Sequence, residues 1–309
     1  MSGLRLPLDH SAADLEAALC RRLRLAPEQL QGWSLVKRSV DARRQDQIRL
    51  VYSLDVQLAT LAPALLKTLS RRWAADPQLQ PIPDDRYRFP VAPRALPQAG
   101  TLRPVVVGAG PCGYFAALLL AQMGLRPLLL ERGKAVRQRT ADTFGFWRGL
   151  RPFDPESNAQ FGEGGAGTFS DGKLYSQVSE PLPYQRKVLE ELVAAGAHPD
   201  ILTLHHPHIG TFKLATVVRG LRQSIEALGG TVRFESRVER LLLDPLDRRV
   251  RGVQLADGAS IAAAQVLLAP GHSARDLFAT LQQQGVQLEA KPFAMGVRIE
   301  HPQALIDQA

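Results

Sequence analysis

The sequence predicts an α/β protein in two parts: a small α+β unit and, behind a proline-rich linker, a larger unit built on parallel strands. Three observations carry the prediction. Val105-Val106-Val107 runs into a glycine turn and then an apolar helix, the pattern of a buried parallel strand feeding a crossover. Seven prolines fall between Pro77 and Pro104. Proline fixes φ and removes a donor, so 77–102 should be an extended linker. Ahead of it the pattern reads strand, helix, strand, strand, helix.

Composition permits this. The chain has 309 residues, 45% hydrophobic and 22% charged, enough for about two domains with a sizeable core. No apolar run approaches the roughly 20 residues that cross a bilayer. Met1 to His10 carries no apolar stretch of a signal peptide. Cys20 and Cys112 form no CxxC pair, and a reducing cytoplasm is the expected location. The net charge is +8, and the first hundred residues hold 15 Lys and Arg against 10 Asp and Glu. Such a face is either simply solvated or attracts anionic partners, nucleic acid included. No RNP-type aromatic signature accompanies it.

In the first unit (1–76), Leu4 to Leu8 reads as a short strand. Ser11 can cap a helix through Leu23, with Leu15, Ala18 and Leu19 on one face. Trp33 to Ser39 and Ile48 to Leu58 alternate as strands do, about a polar turn from Asp41 to Asp46. Leu61 to Trp73 is a second helix. This order suggests a ferredoxin-like α+β sandwich.

The second unit (103–275) opens with the strand ending at Gly108. A helix follows from Pro111 to Met123, then a strand from Arg126 to Glu131. Helices fit Tyr184 to Ala195 and Lys213 to Leu228. Strands fit Thr231 to Glu235, Val238 to Asp244, Val250 to Leu255 and Ala264 to Ala269, as a meander that returns to the core sheet.

Between that first strand and helix lies Gly108-Ala109-Gly110-Pro111-Cys112-Gly113, a G-x-G-x-x-G turn. The first glycine permits the tight turn, the second lets the backbone approach a pyrophosphate, and the third lets helix and strand pack closely. The helix N-terminus offers free N–H groups to the phosphates. Glu131 ends the next strand, about 20 residues on, where a carboxylate accepts hydrogen bonds from ribose hydroxyls and repels a 2′-phosphate. That disfavours NADP and leaves NAD and FAD. Two further segments point to FAD. Phe161 to Lys173 is glycine-rich, with Gly164 and Gly165 free to let backbone approach a ligand; a flexible hinge is the alternative. Val266 to Gly271 is an apolar strand ending in a glycine turn at Gly271.

Gly108 to Gly113, Glu131-Arg132-Gly133 and Ala269-Pro270-Gly271 resemble the glutathione-reductase-type FAD fold, with Pro270 where that family's A-T-G turn has Thr. Ser157 to Lys173, Gly271 to Asp276 and Lys291 to Pro302 resemble, more closely, a bacterial family of FAD-dependent dehydrogenases, largely uncharacterised. That family also has a small N-terminal domain, matched here by Lys37 to Arg43. The resemblance implies a Rossmann-like FAD/NAD(P)-binding domain. It places Val238 with a backbone amide against the adenine and Arg132 near the adenine or phosphates. Members of the family continue beyond this point, so 276–309 reads as the start of a truncated substrate domain, with the apolar face it leaves exposed.

The expected function is an FAD-dependent oxidoreductase acting on a small-molecule substrate, with NAD(P)H a candidate donor although no second G-x-G-x-x-G is present. The alternatives are a flavoprotein acting on RNA and a truncated, inactive FAD-binding fragment. Other candidates are weaker. Cys112 stands at a helix N-terminus, where a thiolate is favoured, yet that turn meets pyrophosphate. His205, His206 and His208 resemble a metal cluster, but Pro207 breaks the spacing and no metal is expected. His272 could approach the flavin, Lys173 could stabilise negative charge on its reduced form, and Asp171 could orient either; equally, all three could shape the glycine-rich loop.

Overall fold

The computed structural model describes residues 1–59, 62–84, 86–90, 100–175, 184–292, 296–297 and 299–308, with the side chains of 45, 64, 65, 68 and 72 set aside. The first unit is β1 (Leu4–Pro7), α1 (Ala12–Leu23), β2 (Leu30–Asp41), β3 (Arg49–Leu58) and α2 (Pro63–Ala74). Ser11 caps α1 reciprocally: its hydroxyl accepts from Asp14 N at 3.2 Å while its own N–H donates to the Asp14 carboxylate at 2.9 Å. The sheet is antiparallel in the order β1-β3-β2. This is a ferredoxin-like order without a fourth strand among the described residues. Leu19 and Leu54 are fully buried at its centre. β2 is longer at both ends than its alternation suggests. Two register shifts, after Leu30 and after Leu35, break the period-two pattern.

The proline-rich segment is less of a free tether than its composition suggests. Residues 77–90 contain no helix or strand where described, but Ser2 N donates to Gln78 O (2.8 Å) and Leu79 packs on the first core. Tyr87 and Phe89 lie against the Lys187 ammonium, at 5.6 and 5.3 Å. Tyr87 also packs edge-on against Phe89 at 5.1 Å and lies 6.1 Å from the Tyr184 ring. Residues 91–99, including Pro93 and Pro97, lie outside the described residues.

The second unit holds β4 (Val105–Val107), α3 (Pro111–Gln122), β5 (Leu128–Leu130), α4 (Val136–Trp147), α5 (Tyr184–Ala194), α6 (Thr211–Ala227) and β6 (Thr231–Arg233). Then come β7 (Val238–Leu243), β8 (Val250–Leu255), β9 (Ser260–Ala262), β10 (Val266–Leu268), α7 (Arg275–Gln283) and α8 (Gln303–Asp307). β10-β4-β5-β6 is a parallel sheet, and β7-β8-β9 an antiparallel one.

Side-chain alternation sorts the parallel sheet into two cores. Val106 and Leu129 face α3, α5 and α6. Val105, Val107, Leu128 and Leu130 face the antiparallel sheet and α7. Both faces are covered, so β4 and β5 read as unbroken apolar runs. Edge strand β10 leaves Leu267 and Leu268 37% and 39% exposed. Helix α4 was not predicted. A charged residue, Arg139, occupies its buried face, which hides the apolar stripe that would announce it.

Candidate cofactor site

The carboxyl ends of β4, β5 and β10 open onto a cleft of about 290 Å³. It is lined by the Gly108–Cys112 turn, Glu131 and Arg132, the 160–162 and 165–167 stretches, Ser236 to Val238, and 269–274. Of the predicted residues, Gly108, Gly110, Pro111, Glu131, Arg132, Gly165, Val238 and Gly271 line it. Segments far apart in sequence are thus brought to one place, outside the strand ends where ligands of such sheets bind.

The turn is built as the glycine spacing requires. Gly108 has φ +101°, and a Cβ there would lie 2.3 Å from Ala269 O. Gly113 does not face the cleft; a Cβ there would lie 1.8 Å from Gly108 O, so it sets how closely α3 packs on β4. Gly110 caps α3 with no side chain taking its first N–H groups, and Pro111 follows at the first helical position. Gly167 and Gly271 would meet nothing within 4 Å, so their main chain is open to the cleft.

The glycine-rich loop packs directly on this turn. Gly164 N donates to Ala109 O at 2.8 Å. A Cβ on Gly165, whose φ is +63°, would come 2.9 Å from Gly110 Cα. Gly164 itself sits behind the lining, its Cα pressed toward Thr168 and Val218.

Glu131 stands on the cleft, but its carboxylate points at backbone. It accepts from Ala109 N (2.7 Å), Gly133 N (2.9 Å) and Gly162 N (2.9 Å), and the residue is buried. One carboxylate therefore ties the first glycine turn to the glycine-rich loop. Arg132 is likewise engaged. Its guanidinium donates to Glu156 (2.7 and 3.1 Å) and Asp276 (3.0 Å) and lies 4.1 Å from the Phe161 ring centroid. Arg237 approaches the same two carboxylates at 3.7 and 3.4 Å.

The residues that sequence reasoning missed hold the loop from beneath. Arg139 is fully buried. Its guanidinium donates to the carbonyls of Asn158 (2.8 Å), Ala159 (3.1 Å), Gly162 (3.2 Å), Glu163 (2.7 Å) and Gly165 (2.8 Å). Burial lowers its pKa to about 10, and the carboxylates of Glu131 and Glu163 act against that fall, so it is protonated at neutral pH. Glu163, also fully buried, accepts from Tyr114 OH (2.7 Å) and Val136 N (2.6 Å), with Arg222 at 3.4 Å. Burial and the Glu163 charge push the Tyr114 phenol well up, so it stays a donor.

Other candidates fall elsewhere. Lys173 and Asp171 are exposed, 3.7 Å apart, and do not line the cleft. Cys112 and His272 do line it, and Cys112 is an exposed free thiol. The rings of His205 and His206 stack rather than converge on a point. Among the described residues no group of three or more His, Cys, Asp or Glu could hold a metal ion, and no helix is long and apolar enough to cross a membrane.

Residues 173–304 match the family described as FAD dependent oxidoreductase. That match covers less than half of the chain. It begins after the Gly108–Gly113 turn, so a dinucleotide-type turn and an FAD-type family match fall on separate stretches of the chain. Residues 2–57 match a domain of unknown function. An uncharacterised protein of Clostridium beijerinckii is 38% identical over 307 residues, 99% of this chain and 55% of that protein. The chain thus spans about half the length of its curated relative. Among solved structures, THI4 of Thermovibrio ammonificans is 20% identical over 60% of this chain and 64% of its own, with a TM-score of 0.40. The 3-ketosteroid-delta4-(5alpha)-dehydrogenase of Rhodococcus jostii RHA1 is 17% identical over 58% of this chain and 48% of its own, with a TM-score of 0.32. Both likenesses are remote.

Proposed function

We propose that the cleft receives FAD with its pyrophosphate over the Gly108–Gly110 turn and the N-terminus of α3, and that the chain works as an oxidoreductase on a small-molecule substrate. One observation carries this reading. Gly167 and Gly271 leave main chain open to the cleft, and Gly110 lines it at the donor end of a helix that no side chain caps. Bound there, FAD supplies the redox chemistry, taking a hydride or electrons from a donor and passing them on.

The protein's own part is binding and placement. Pro111 lacks an N–H, so the amides of Cys112 and Gly113 are the first helix donors toward a phosphate. Glu131 Oε2 accepts a single amide, which leaves a lone pair for a ribose hydroxyl. Its charge disfavours a 2′-phosphate. Val238 lines the adenine end beside Ser236 and Arg237. Arg132 walls that end through its contacts with Phe161 and Asp276. Gly113 and Gly164 serve by packing, and we assign Lys173 no contact with the cofactor. We read 103–275 as the cofactor-binding unit. Cys20 and Cys112, both free, suit a reducing cytoplasm. NAD(P)H is our candidate donor.

The visible absorbance of the purified chain tests this. A yellow protein, or a colourless one that takes up added FAD with saturable spectral change, is expected. A colourless chain that refuses FAD overturns the reading. Anaerobic bleaching of the bound flavin by NADH or NADPH then tests the donor.

A further inference from the structure

One surface cluster away from the cleft has a frame of its own. Residues 171–175 and 207–210 run antiparallel: Leu174 N donates to Pro207 O (2.9 Å) and Ile209 N to Gly172 O (3.1 Å). Edge strand β2 of the first unit adds on beside them. Arg38 N donates to Thr203 O (2.7 Å), and His205 N donates to Arg38 O (3.0 Å).

This frame stands three rings in one column. Tyr175 stacks on His206 at 4.3 Å and 28°, and His206 on His205 at 3.8 Å and 27°. Tyr175 is 47% exposed and both histidines are exposed. A stack in open solvent buries little, so it is poorly explained as core. Its middle member is also strained: His206 holds φ +55°, the left-handed region that costs a non-glycine residue energy. Basic groups flank the column. Burial lowers the His205 pKa, and Lys37 and then His206 nearby lower it further. Lys173 lies in the ribbon, paired only loosely with Asp171 at 3.7 Å. The first unit behind Lys37 has the basic surplus noted above.

We propose that the Tyr175–His206–His205 column, flanked by Lys37 and Lys173, binds a nucleobase carrying a phosphate. The base extends the stack and the lysines meet the phosphate. Flat aromatic platforms beside cationic groups hold bases in this way with little sequence preference. Two sources share that chemistry, a single-stranded RNA segment and a free nucleotide. None of these residues lines the flavin cleft, so the proposal stands apart from the FAD reading.

Fluorescence anisotropy of the full chain with a labelled oligouridylate about 12 nucleotides long tests it. Binding that weakens with salt is expected. His206→Gly should weaken it about tenfold, the scale of one lost base stack. Glycine accepts the left-handed backbone, so the ring is removed while strain is relieved. Tyr175→Ala should act alike, and Tyr175→Phe should bind as the parent does. Lys37→Ala should lower the salt slope by about one. Displacement of the oligonucleotide by AMP assigns the site to free nucleotides; no displacement assigns it to RNA strands. The proposal is overturned if neither AMP nor oligouridylate binds, or if His206→Gly binds as the parent does with an unchanged circular-dichroism melt.

Discussion

Replacing Arg139 by Met probes what holds the glycine-rich loop in place. Methionine keeps much of the buried volume and removes every donor. Five carbonyls lose the guanidinium, but not equally. Gly162 O retains Gly165 N (3.0 Å), Gly165 O retains Thr168 N (3.3 Å) and Glu163 O retains the Thr168 hydroxyl (3.2 Å). Asn158 O and Ala159 O have no second donor among the hydrogen bonds described. Two orphaned carbonyls at roughly 1–3 kcal/mol each give about 2–6 kcal/mol. Glu163 keeps Tyr114, Val136 and Arg222, so its charge is not left bare. Removing a guanidinium that burial already disfavours returns part of the loss. A net cost of about 1–5 kcal/mol is expected, measured as the urea midpoint shift at constant m-value. The 158–165 segment should loosen with it, so flavin absorbance should fall at a fixed FAD concentration. Arg139→Lys separates charge from geometry. Lysine restores the cation but cannot reach five carbonyls from one planar fork, so only a minor part of the stability should return. A loss under about 1 kcal/mol for Met, or full recovery with Lys, would refute the argument that donor geometry organises the loop.

Gly165→Ala should reduce FAD affinity more than it reduces folding stability, by isothermal titration against thermal melts. Its Cβ would press on Gly110 Cα at 2.9 Å and part the loop from the turn that lines the cleft. Gly113→Ala should lower expression of folded protein outright, because a Cβ 1.8 Å from Gly108 O cannot be accommodated without moving α3 off β4. Tyr114→Phe should cost about 1–3 kcal/mol in chemical denaturation, since a buried Glu163 oxygen loses its closest donor. Acid should weaken the segment at 154–157. Burial raises the carboxyl pKa values of Asp142 and Asp154, but the Lys134 ammonium, 2.9 Å from each, outweighs it and holds both below the usual range. A depressed folded pKa contributes stability above the unfolded value of about 3.9 that disappears as pH falls through the folded value. Urea midpoints should therefore drop below about pH 4, and Lys134→Met should flatten that drop; an unchanged acid limb in the variant would count against the ion pairs.

Much of the site was legible because its parts are local. G-x-G-x-x-G between an apolar run and an apolar helix encodes its own turn, through a positive φ at Gly108 and a Cβ-free contact at Gly113. Eight of the eleven predicted site residues line one cleft. Lys173 misled because a lysine after a glycine-rich loop looks like a ligand for an anion, yet the chain turns away after Gly167 into the ribbon with 207–210. Arg139 and Glu163 escaped notice for the opposite reason. A buried charge looks like a surface residue in sequence until its hydrogen-bond partners, 19 to 49 positions away, are known.

The sequence by itself determined the type of most elements up to β8, α4 excepted, the glycine turn with its acid at the next strand end, and the cofactor class. Each depends on backbone freedom or periodicity within a few residues. Only the tertiary structure decided where the carboxylate of Glu131 points, that the glycine-rich loop rests on the first turn, and that Tyr175 and two histidines form a column against an edge strand of the first unit. Those facts depend on which distant groups share a buried or crowded place. There the cost of an unpaired donor or acceptor, set by burial and not by local pattern, selects the arrangement.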